Sequence, residues 1–311
     1  MYQIKHDKII ANSLKNNALK DPYERNITII ENDINDKTPV MIGLAGFFGT
    51  SYSFLNRNYT SLDFLTMLDV ISKKYSFIII LPDTMTHFHG NQYTNSKTVG
   101  NYENFISTDL VNHIKNLYGD RDLYLFGKSS GGFGSFTLTI NHPDIFSGFI
   151  DISGDSYFEY SYLPDFPVTY KVLKNKNLND FILEFDGKYL HNTDEITAFN
   201  IIAMSAFYSR GDGIDLPFNI YDGTIKSEIW GNWLSIDPVN VIKNKLNNIK
   251  NKKVILQTGF KDEFKIDIGM NILNNYLTEN NVNHFFKEYD AGHFNTNHFY
   301  LDSFPEILKN Y

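Results

Sequence analysis

Short apolar runs and longer amphipathic stretches alternate along much of the chain. The runs typical of buried strands are 26–30, 40–44, 77–81, 123–126, 148–152, 254–257 and 284–289. Apolar residues at intervals of three and four positions predict helices at 62–71, 102–117, 132–140, 268–277 and 299–308. Strands that alternate with helices build a mostly parallel sheet with helices on both faces. The pattern therefore predicts an α/β fold.

The interval from about Tyr157 to Lys252 interrupts this alternation. It is rich in aromatic residues, contains four prolines, and shows one clear helical pattern, at 193–208. A structureless loop of this size inside a compact domain would be unusual. We therefore predict a core built from residues 1–156 and 253–311, with residues 157–252 inserted as a cap that packs over one edge or mouth of the sheet.

The composition is that of a folded globular protein with a mild negative charge. The 311 residues are 42% hydrophobic and 15% aromatic, which lies outside the range of disordered chains. Lys and Arg number 28 against 36 Asp and Glu, giving a formal charge of −8. No basic stretch interleaved with aromatic residues is present, so nucleic acid is not expected as a partner.

The absence of cysteine narrows the chemistry further. It excludes disulfides, thiolate metal sites, iron–sulfur clusters and a cysteine nucleophile. No apolar run is long enough to span a bilayer, and the first residues lack the apolar stretch of a signal peptide. We expect a cytoplasmic protein without a membrane span; a mature secreted form is the alternative.

The strongest chemical signal is a G-x-S-x-G motif at Gly127–Gly131. It directly follows a predicted strand and precedes a predicted helix, which is the context that a nucleophile elbow requires. The sharp turn leaves no room for side chains at the flanking glycines and lifts the serine hydroxyl to the positive end of the helix. Ser129 is the predicted nucleophile; the alternative is a serine that only caps the helix.

A serine nucleophile needs a histidine base, which this fold places after the last core strand. His293 follows the strand that ends at Tyr289, and His298, nearer the terminal helix, is the alternative base. The carboxylate that orients the imidazole should follow the preceding strand, where Asp262 and Glu263 are adjacent. We predict Asp262; the alternative is that both acids merely start the next helix.

Acyl transfer also needs two backbone N–H donors for the developing oxyanion. One is predicted at Ser130, directly after the nucleophile, and the other at Phe47, with Phe48 as the alternative, in a glycine-containing turn after an early strand. Phe48, Gln92 and Tyr93 are predicted substrate contacts, although turn stabilisation explains the last two equally well.

No metal or cofactor is required by this chemistry. His87 and His89 could face one metal ion, but no third histidine or carboxylate at ligand spacing accompanies them. The prediction is therefore a site without metal.

The chain resembles the α/β-hydrolase superfamily, and within it the esterase group that includes esterase D, the enterochelin-esterase-like proteins and the antigen 85-type mycolyltransferases. The resemblance covers nearly the whole chain. It rests on the elbow and on further segments: Asp21-Pro22 with Arg25, 44–57, Pro82-Asp83, 142–146, Ser153-Gly154-Asp155, Leu216-Pro217-Phe218, 229–233 and Asp237-Pro238.

The resemblance implies Ser129 as nucleophile, His293 as base and Asp262 as acid, in the chain order of this superfamily. One departure is Ala45, which stands where many relatives carry a histidine or aspartate before the oxyanion glycine. Because the oxyanion donor is a backbone N–H, the exchange removes only a side chain that could hold the loop in shape.

The function predicted from these residues is hydrolysis of a small carboxylic ester through an acyl-serine intermediate. The alternatives are acyl transfer to an alcohol or amine on the same scaffold, and a non-catalytic binding protein that keeps the fold. The intact set of serine, histidine and aspartate argues against the last. The sequence leaves open whether the chain forms a homo-oligomer.

Overall fold

An eight-stranded sheet runs through the molecule, whose computed structural model describes residues 2–311. The strand order is β1-β2-β4-β3-β7-β8-β9-β10, and β5 and β6 form a separate two-stranded ribbon. The strands are β1 (Gln3–Ile10), β2 (Glu24–Asn32), β3 (Val40–Leu44), β4 (Phe77–Pro82), β5 (Asn95–Ser96), β6 (Gly100–Asn101), β7 (Leu123–Lys128), β8 (Gly148–Ile152), β9 (Lys253–Gly259) and β10 (His284–Tyr289).

Most neighbouring strands of the large sheet are parallel. Only β2 is antiparallel to its neighbours, β1 and β4. From β4 across β3, β7, β8 and β9 to β10 every pairing is parallel. The predicted mostly parallel sheet is confirmed.

The helices that the structure describes lie between these strands along the chain, except for the last, which follows β10. They are α1 (Phe64–Ile71), α2 (Tyr102–Asn104), α3 (Val111–Tyr118), α4 (Ser130–Asn141), α5 (Phe158–Ser161), α6 (Phe166–Leu173), α7 (Leu178–Asp186), α8 (Thr193–Phe207), α9 (Ser227–Leu234), α10 (Pro238–Lys245), α11 (Ile266–Glu279) and α12 (Tyr300–Leu308). A π-helical turn at Phe105–Leu110 joins α2 to α3, so the helix predicted at 102–117 is present with one widened turn.

Both faces of the sheet are covered, because successive residues of each central strand point to opposite sides. In β3, Val40 and Ile42 belong to one apolar cluster, together with residues of α3, α4 and α11. Met41 belongs to the other cluster, with residues of α1 and α12. All five residues of β3 are buried, which explains its uninterrupted apolar sequence.

The sequence pattern did not reveal β1. Seven of its eight residues are exposed, and only Ile9 is buried. It lies at the edge of the sheet, where Lys5 forms an ion pair of 2.5 Å with Glu31 of β2. An edge strand with charged side chains carries no apolar signal, and such charges discourage pairing with a further chain.

The stretch between β8 and β9 contains six helices, α5 to α10. The predicted helix at 193–208 is confirmed as α8, which begins where the Asn192 side chain accepts a hydrogen bond from the Glu195 N–H at 2.9 Å. Phe166 and Trp233 are buried in the same cluster as one face of the sheet. The division into a core and an inserted cap at 157–252 stays a prediction.

None of the helices within residues 2–311 combines the length and the apolar character needed to cross a bilayer.

Candidate active site

The turn between β7 and α4 holds Ser129 in a rare backbone conformation, with φ of 56° and ψ of −127°. Such angles destabilise a residue with a side chain by about 1–3 kcal/mol, and they persist only where the surrounding structure imposes them. Here the close packing of the turn imposes them. A Cβ atom on Gly131 would lie 2.1 Å from the Leu44 carbonyl oxygen, and one on Gly127 would lie 2.4 Å from the Gly131 backbone.

This packing explains both glycines of the motif. It also fixes the nucleophile candidate relative to β3, since Leu44 ends that strand. The Ser129 side chain makes no capping hydrogen bond to α4. The structure therefore gives no support to the alternative in which Ser129 serves only to start the helix.

His293 and Asp262 meet as the sequence predicted. Asp262 lies just beyond β9 and His293 just beyond β10, and these two strands are parallel neighbours. His293 Nδ1 is 2.8 Å from Asp262 Oδ2, and both side chains are buried. The other carboxylate oxygen, Oδ1, accepts the Phe264 N–H at 2.9 Å. The carboxylate is thus held on one side by the backbone and on the other by the imidazole.

Glu263 has a different partner from its neighbour. Its Oε2 accepts the backbone N–H of His293 at 2.6 Å, and this hydrogen bond holds the pKa of Glu263 below its usual value. The alternative, in which both acids merely start the next helix, finds no support, because α11 begins at Ile266 and Glu263 instead holds the histidine loop through this hydrogen bond. His298, the alternative base, is exposed, and its Nδ1 lies 3.2 Å from the Asn295 carbonyl oxygen.

The predicted oxyanion donors lie in two turns, the elbow before α4 and the turn after β3, that border one pocket. Ser130 is the first residue of α4, where the helix itself offers its N–H no acceptor. Phe47 and Phe48 follow β3, and Phe48 has a φ of 60°, which turns the chain sharply. Both phenylalanines and both serines, 129 and 130, line one pocket.

Tyr93 lies beneath this turn and not in the pocket lining. Its hydroxyl donates to the Ala45 carbonyl oxygen at 2.6 Å, and only 1% of the residue is exposed. The predicted substrate contact of Tyr93 does not agree with this position, because the ring is sealed from the pocket. Tyr93 instead joins the loop after β4 to the turn after β3 through this hydrogen bond.

Gln92 belongs to a buried polar cluster beside the predicted nucleophile. Its Nε2 donates to Ser130 Oγ at 2.7 Å and to Asp155 Oδ2 at 3.1 Å. Tyr162 donates its hydroxyl to the same Asp155 oxygen at 2.8 Å. Gln92 is fully buried, so the structure places it behind the pocket wall and not, as predicted, in contact with substrate.

The pocket that contains Ser129 and His293 has a volume of about 370 Å³. Its apolar wall includes Phe48, whose contact with substrate stays a prediction, and Phe264 and Phe294 beside the histidine. The interval 157–252 contributes Tyr162, Asp165 and several residues of α8. Side chains from the interval 157–252 and from the rest of the chain thus enclose Ser129 and His293.

Lys128 adds a positive charge to this pocket. Its Nζ lies 4.8 Å from the centre of the Phe294 ring, a cation–π contact. Burial lowers the pKa of Lys128 to about 8, and attraction by Asp262 and Glu263 only partly opposes this. The ammonium is therefore charged below about pH 8 and neutral above it.

This charge should favour anionic esters at neutral pH. We expect the ratio of kcat/KM for the p-nitrophenyl monoester of adipate to that for p-nitrophenyl hexanoate to fall about three- to tenfold between pH 7 and pH 9, the loss of one screened ion attraction. In Lys128→Met the ratio should start lower and stay flat. A wild-type ratio that does not change with pH would contradict this expectation.

His87 and His89 share a carboxylate outside this pocket. His89 Nε2 lies 2.7 Å from Asp186 Oδ1, and His87 Nε2 lies 3.7 Å from Asp186 Oδ2. Within residues 2–311 no group of three or more histidine, aspartate or glutamate side chains is arranged to hold a metal ion.

The pocket residues that the sequence reasoning missed include two charged ones, Lys128 and Asp155. Lys128 occupies the position before Ser129, where the G-x-S-x-G motif accepts any residue type and so predicts no role. Asp155 follows β8 by three residues, at the carboxyl edge where Ser129 also lies. Its position after a core strand was the available signal, since sites in open α/β sheets form at that edge.

Comparisons with known proteins agree with this architecture. A sequence model of the putative esterase family matches residues 31–310. No curated protein matches the chain.

Three solved structures match this chain over nearly their whole length at low sequence identity. A ferulic acid esterase is 15% identical with a TM-score of 0.61, covering 100% of this chain and 99% of its own. The fluorophosphonate-binding serine hydrolase FphF of Staphylococcus aureus is 13% identical with a TM-score of 0.58, covering 99% and 97%. The S-formylglutathione hydrolase FrmB of Staphylococcus aureus is 12% identical with a TM-score of 0.53, covering 99% and 98%.

The structural matches establish the α/β-hydrolase fold, and the family model spans most of the sequence. The chain therefore belongs to the putative esterase family, and its fold is that of the α/β-hydrolases.

Proposed function

We propose that the protein hydrolyses small carboxylic esters through an acyl-enzyme formed on Ser129. The observation that carries this proposal is the 2.8 Å contact of His293 with Asp262 in the pocket that also contains the strained Ser129. A base held by a carboxylate, in the same pocket as a half-buried serine, is the arrangement that activates a weak nucleophile.

In the first step, Ser129 Oγ attacks the ester carbonyl carbon while His293 Nε2 takes the hydroxyl proton. Asp262 keeps the other imidazole proton on Nδ1 and stabilises the positive charge that forms on the ring. The carbonyl oxygen becomes negative, and the N–H groups of Phe47 and Ser130 donate to it.

Collapse of this intermediate releases the alcohol, to which His293 returns the proton, and leaves an acyl-serine. A water molecule then attacks the acyl carbon as His293 removes its proton. The second collapse returns that proton to Ser129 and releases the acid. No step requires a group beyond these side chains and backbone donors.

The pocket favours an ester with a modest apolar part. Its volume of about 370 Å³ and the rings of Phe48, Phe264 and Phe294 suit a short acyl chain or one aromatic ring. The similar structures include a ferulic acid esterase, whose name describes an aromatic acyl group, and this supports an aryl-bearing ester among the candidates.

A fluorophosphonate probe and a series of p-nitrophenyl esters from acetate to palmitate test the proposal. We expect labelling at Ser129, identified by peptide mass spectrometry, and the highest kcat/KM for the short acyl groups of the series, since a long chain exceeds the pocket. Preincubation with the probe should abolish hydrolysis. A purified, folded protein that neither takes up the probe nor cleaves any ester would contradict the proposed function.

A further inference from the structure

A buried carboxylate that the hydrolytic steps do not use lies in the wall of the pocket. Asp155 is 7% exposed and lies three residues after β8, at the edge of the sheet that carries Ser129. Its side chain is 3.3 Å from Ser130 Oγ, one residue from the predicted nucleophile. Burial raises the pKa of the Asp155 carboxyl above its usual value, and hydrogen bonds from Tyr162 and Gln92 only partly oppose this rise.

The two oxygens of this carboxylate have different surroundings. Oδ2 accepts three hydrogen bonds, from Tyr162 at 2.8 Å, Gln92 at 3.1 Å and Ser130 at 3.3 Å. Oδ1 accepts no hydrogen bond from residues 2–311. It is nevertheless not sealed inside the protein. Because Asp155 lines the pocket, Oδ1 is open to whatever occupies it.

No described lysine, arginine or histidine forms an ion pair with Asp155 within 4 Å; the pairs that the structure contains involve other carboxylates, such as that of Asp262 with His293. Burying a carboxylate without full hydrogen bonding is costly. The three donors fix its orientation but satisfy only one oxygen. A ligand that donates a hydrogen bond to Oδ1 would complete the set.

We propose that Asp155 Oδ1 is a substrate-binding acceptor and that the pocket selects esters bearing a hydrogen-bond donor, a hydroxyl or an ammonium group, near the scissile bond. This inference rests on the proposed function, because the selected molecule is the ester that Ser129 attacks. A site built around an acceptor discriminates strongly against analogues that lack the donor.

If Asp155 had a purely structural role, its replacement would affect the esters differently. The Ser130 hydroxyl contact ties Asp155 to the residue whose N–H is a predicted oxyanion donor. If that were the only task of Asp155, its replacement would slow every ester by the same factor. Selectivity between matched substrates therefore separates binding from positioning.

Asp155→Asn is the informative variant, since it changes only one oxygen. Its Oδ1 can take the place of the aspartate Oδ2 and keep the donors Tyr162, Gln92 and Ser130. Its NH₂ group then faces the pocket, where an acceptor stood. A hydroxyl can still accept a hydrogen bond from that NH₂ group, whereas an ammonium group cannot.

The substrates are pairs in which a hydroxyl replaces a methyl group of the same size. On the acyl side they are p-nitrophenyl 2-hydroxypropionate and 3-hydroxybutyrate against the isobutyrate and 3-methylbutyrate. On the alcohol side they are 2-hydroxyethyl against propyl butyrate. The corresponding 2- and 3-amino esters form the ammonium arm. All are compared by kcat/KM at neutral pH.

For the wild type we expect at least one donor-bearing ester to exceed its isostere by about 10- to 100-fold, the range of a hydrogen bond to a charged group. Asp155→Asn should bring the ratio for an ammonium ester close to one and lower the ratio for a hydroxyl ester less, because the hydroxyl can accept from the asparagine NH₂ group; kcat/KM for the isostere should change much less than either. If an ammonium ester is the preferred one, its loss in the variant should be larger than that of the hydroxyl ester.

Asp237→Asn serves as the matched control. Asp237 is also buried, accepts the backbone N–H groups of Tyr157 and Phe158, and does not line the pocket. Its replacement should leave the selectivity ratio unchanged, whatever it does to the melting temperature.

Three results would overturn the inference. An active wild type without any donor preference would show that Oδ1 binds no such group. An equal loss for both members of a pair in Asp155→Asn would assign the residue to positioning alone. A folded wild type that cleaves none of the esters and takes up no fluorophosphonate would overturn the proposed function and this inference with it.

Discussion

Ser129→Ala should lower kcat for ester hydrolysis by about three to six orders of magnitude, the loss seen when a triad serine is removed. The variant keeps the pocket and the oxyanion donors but has no oxygen to form the acyl-enzyme. It should fold normally, because the conformational energy of a φ of 56° is similar for alanine and serine. The measurement is kcat with the preferred p-nitrophenyl ester, beside a thermal melt.

Fluorophosphonate labelling gives an independent check on the same variant. Uptake should disappear together with activity, while the melting temperature stays within a few degrees of the wild type. Full activity in a purified Ser129→Ala preparation would show that another group performs the attack.

Asp262→Asn should reduce kcat by up to about four orders of magnitude. The Phe264 N–H donates to Oδ1 at 2.9 Å, so an asparagine would keep its carbonyl oxygen there and turn its NH₂ toward His293. That NH₂ donates to Nδ1 and leaves the imidazole proton on Nε2. The histidine would then be unable to accept the serine proton. The decisive measurement is kcat across neutral and alkaline pH.

Glu263→Gln is the matched control for that prediction. A glutamine still offers an oxygen to the His293 backbone N–H, which Glu263 now accepts at 2.6 Å. Only the charge of this hydrogen bond is lost, so the expected decrease is at most about tenfold. Greater damage from Glu263→Gln than from Asp262→Asn would exchange the roles of the two acids and leave those of Ser129 and His293 standing.

The sequence predicted the central strands because each is buried on both faces and reads as an unbroken apolar run. It missed β1 because an exposed edge strand such as this one is patterned by charge. It found only α8 between β8 and β9, where the capping box at Asn192 and Glu195 begins a helix of 15 residues. The shorter helices there, such as the eight residues of α6, depend on aromatic packing that no local pattern records.

The proposed triad could be predicted because each member has a fixed place relative to a strand. The cluster around Asp155 could not, because it joins Gln92, Ser130 and Tyr162 from three separate segments. Such contacts depend on how loops meet after the sheet has formed. For the same reason the sequence predicted substrate contacts for Gln92 and Tyr93, whereas both side chains are buried behind the pocket wall.

The packing of the elbow has a consequence for how this protein can diverge. Ser129 is positioned by backbone atoms of β3 and of the elbow itself, with a Cβ on Gly131 only 2.1 Å from the Leu44 carbonyl oxygen. The part of the pocket that faces the substrate comes largely from side chains, including those of Tyr162 and α8 in the interval 157–252. Substitutions in that interval can reshape the pocket without displacing the nucleophile. Selection can thus explore new substrates while the hydrolytic apparatus is inherited unchanged.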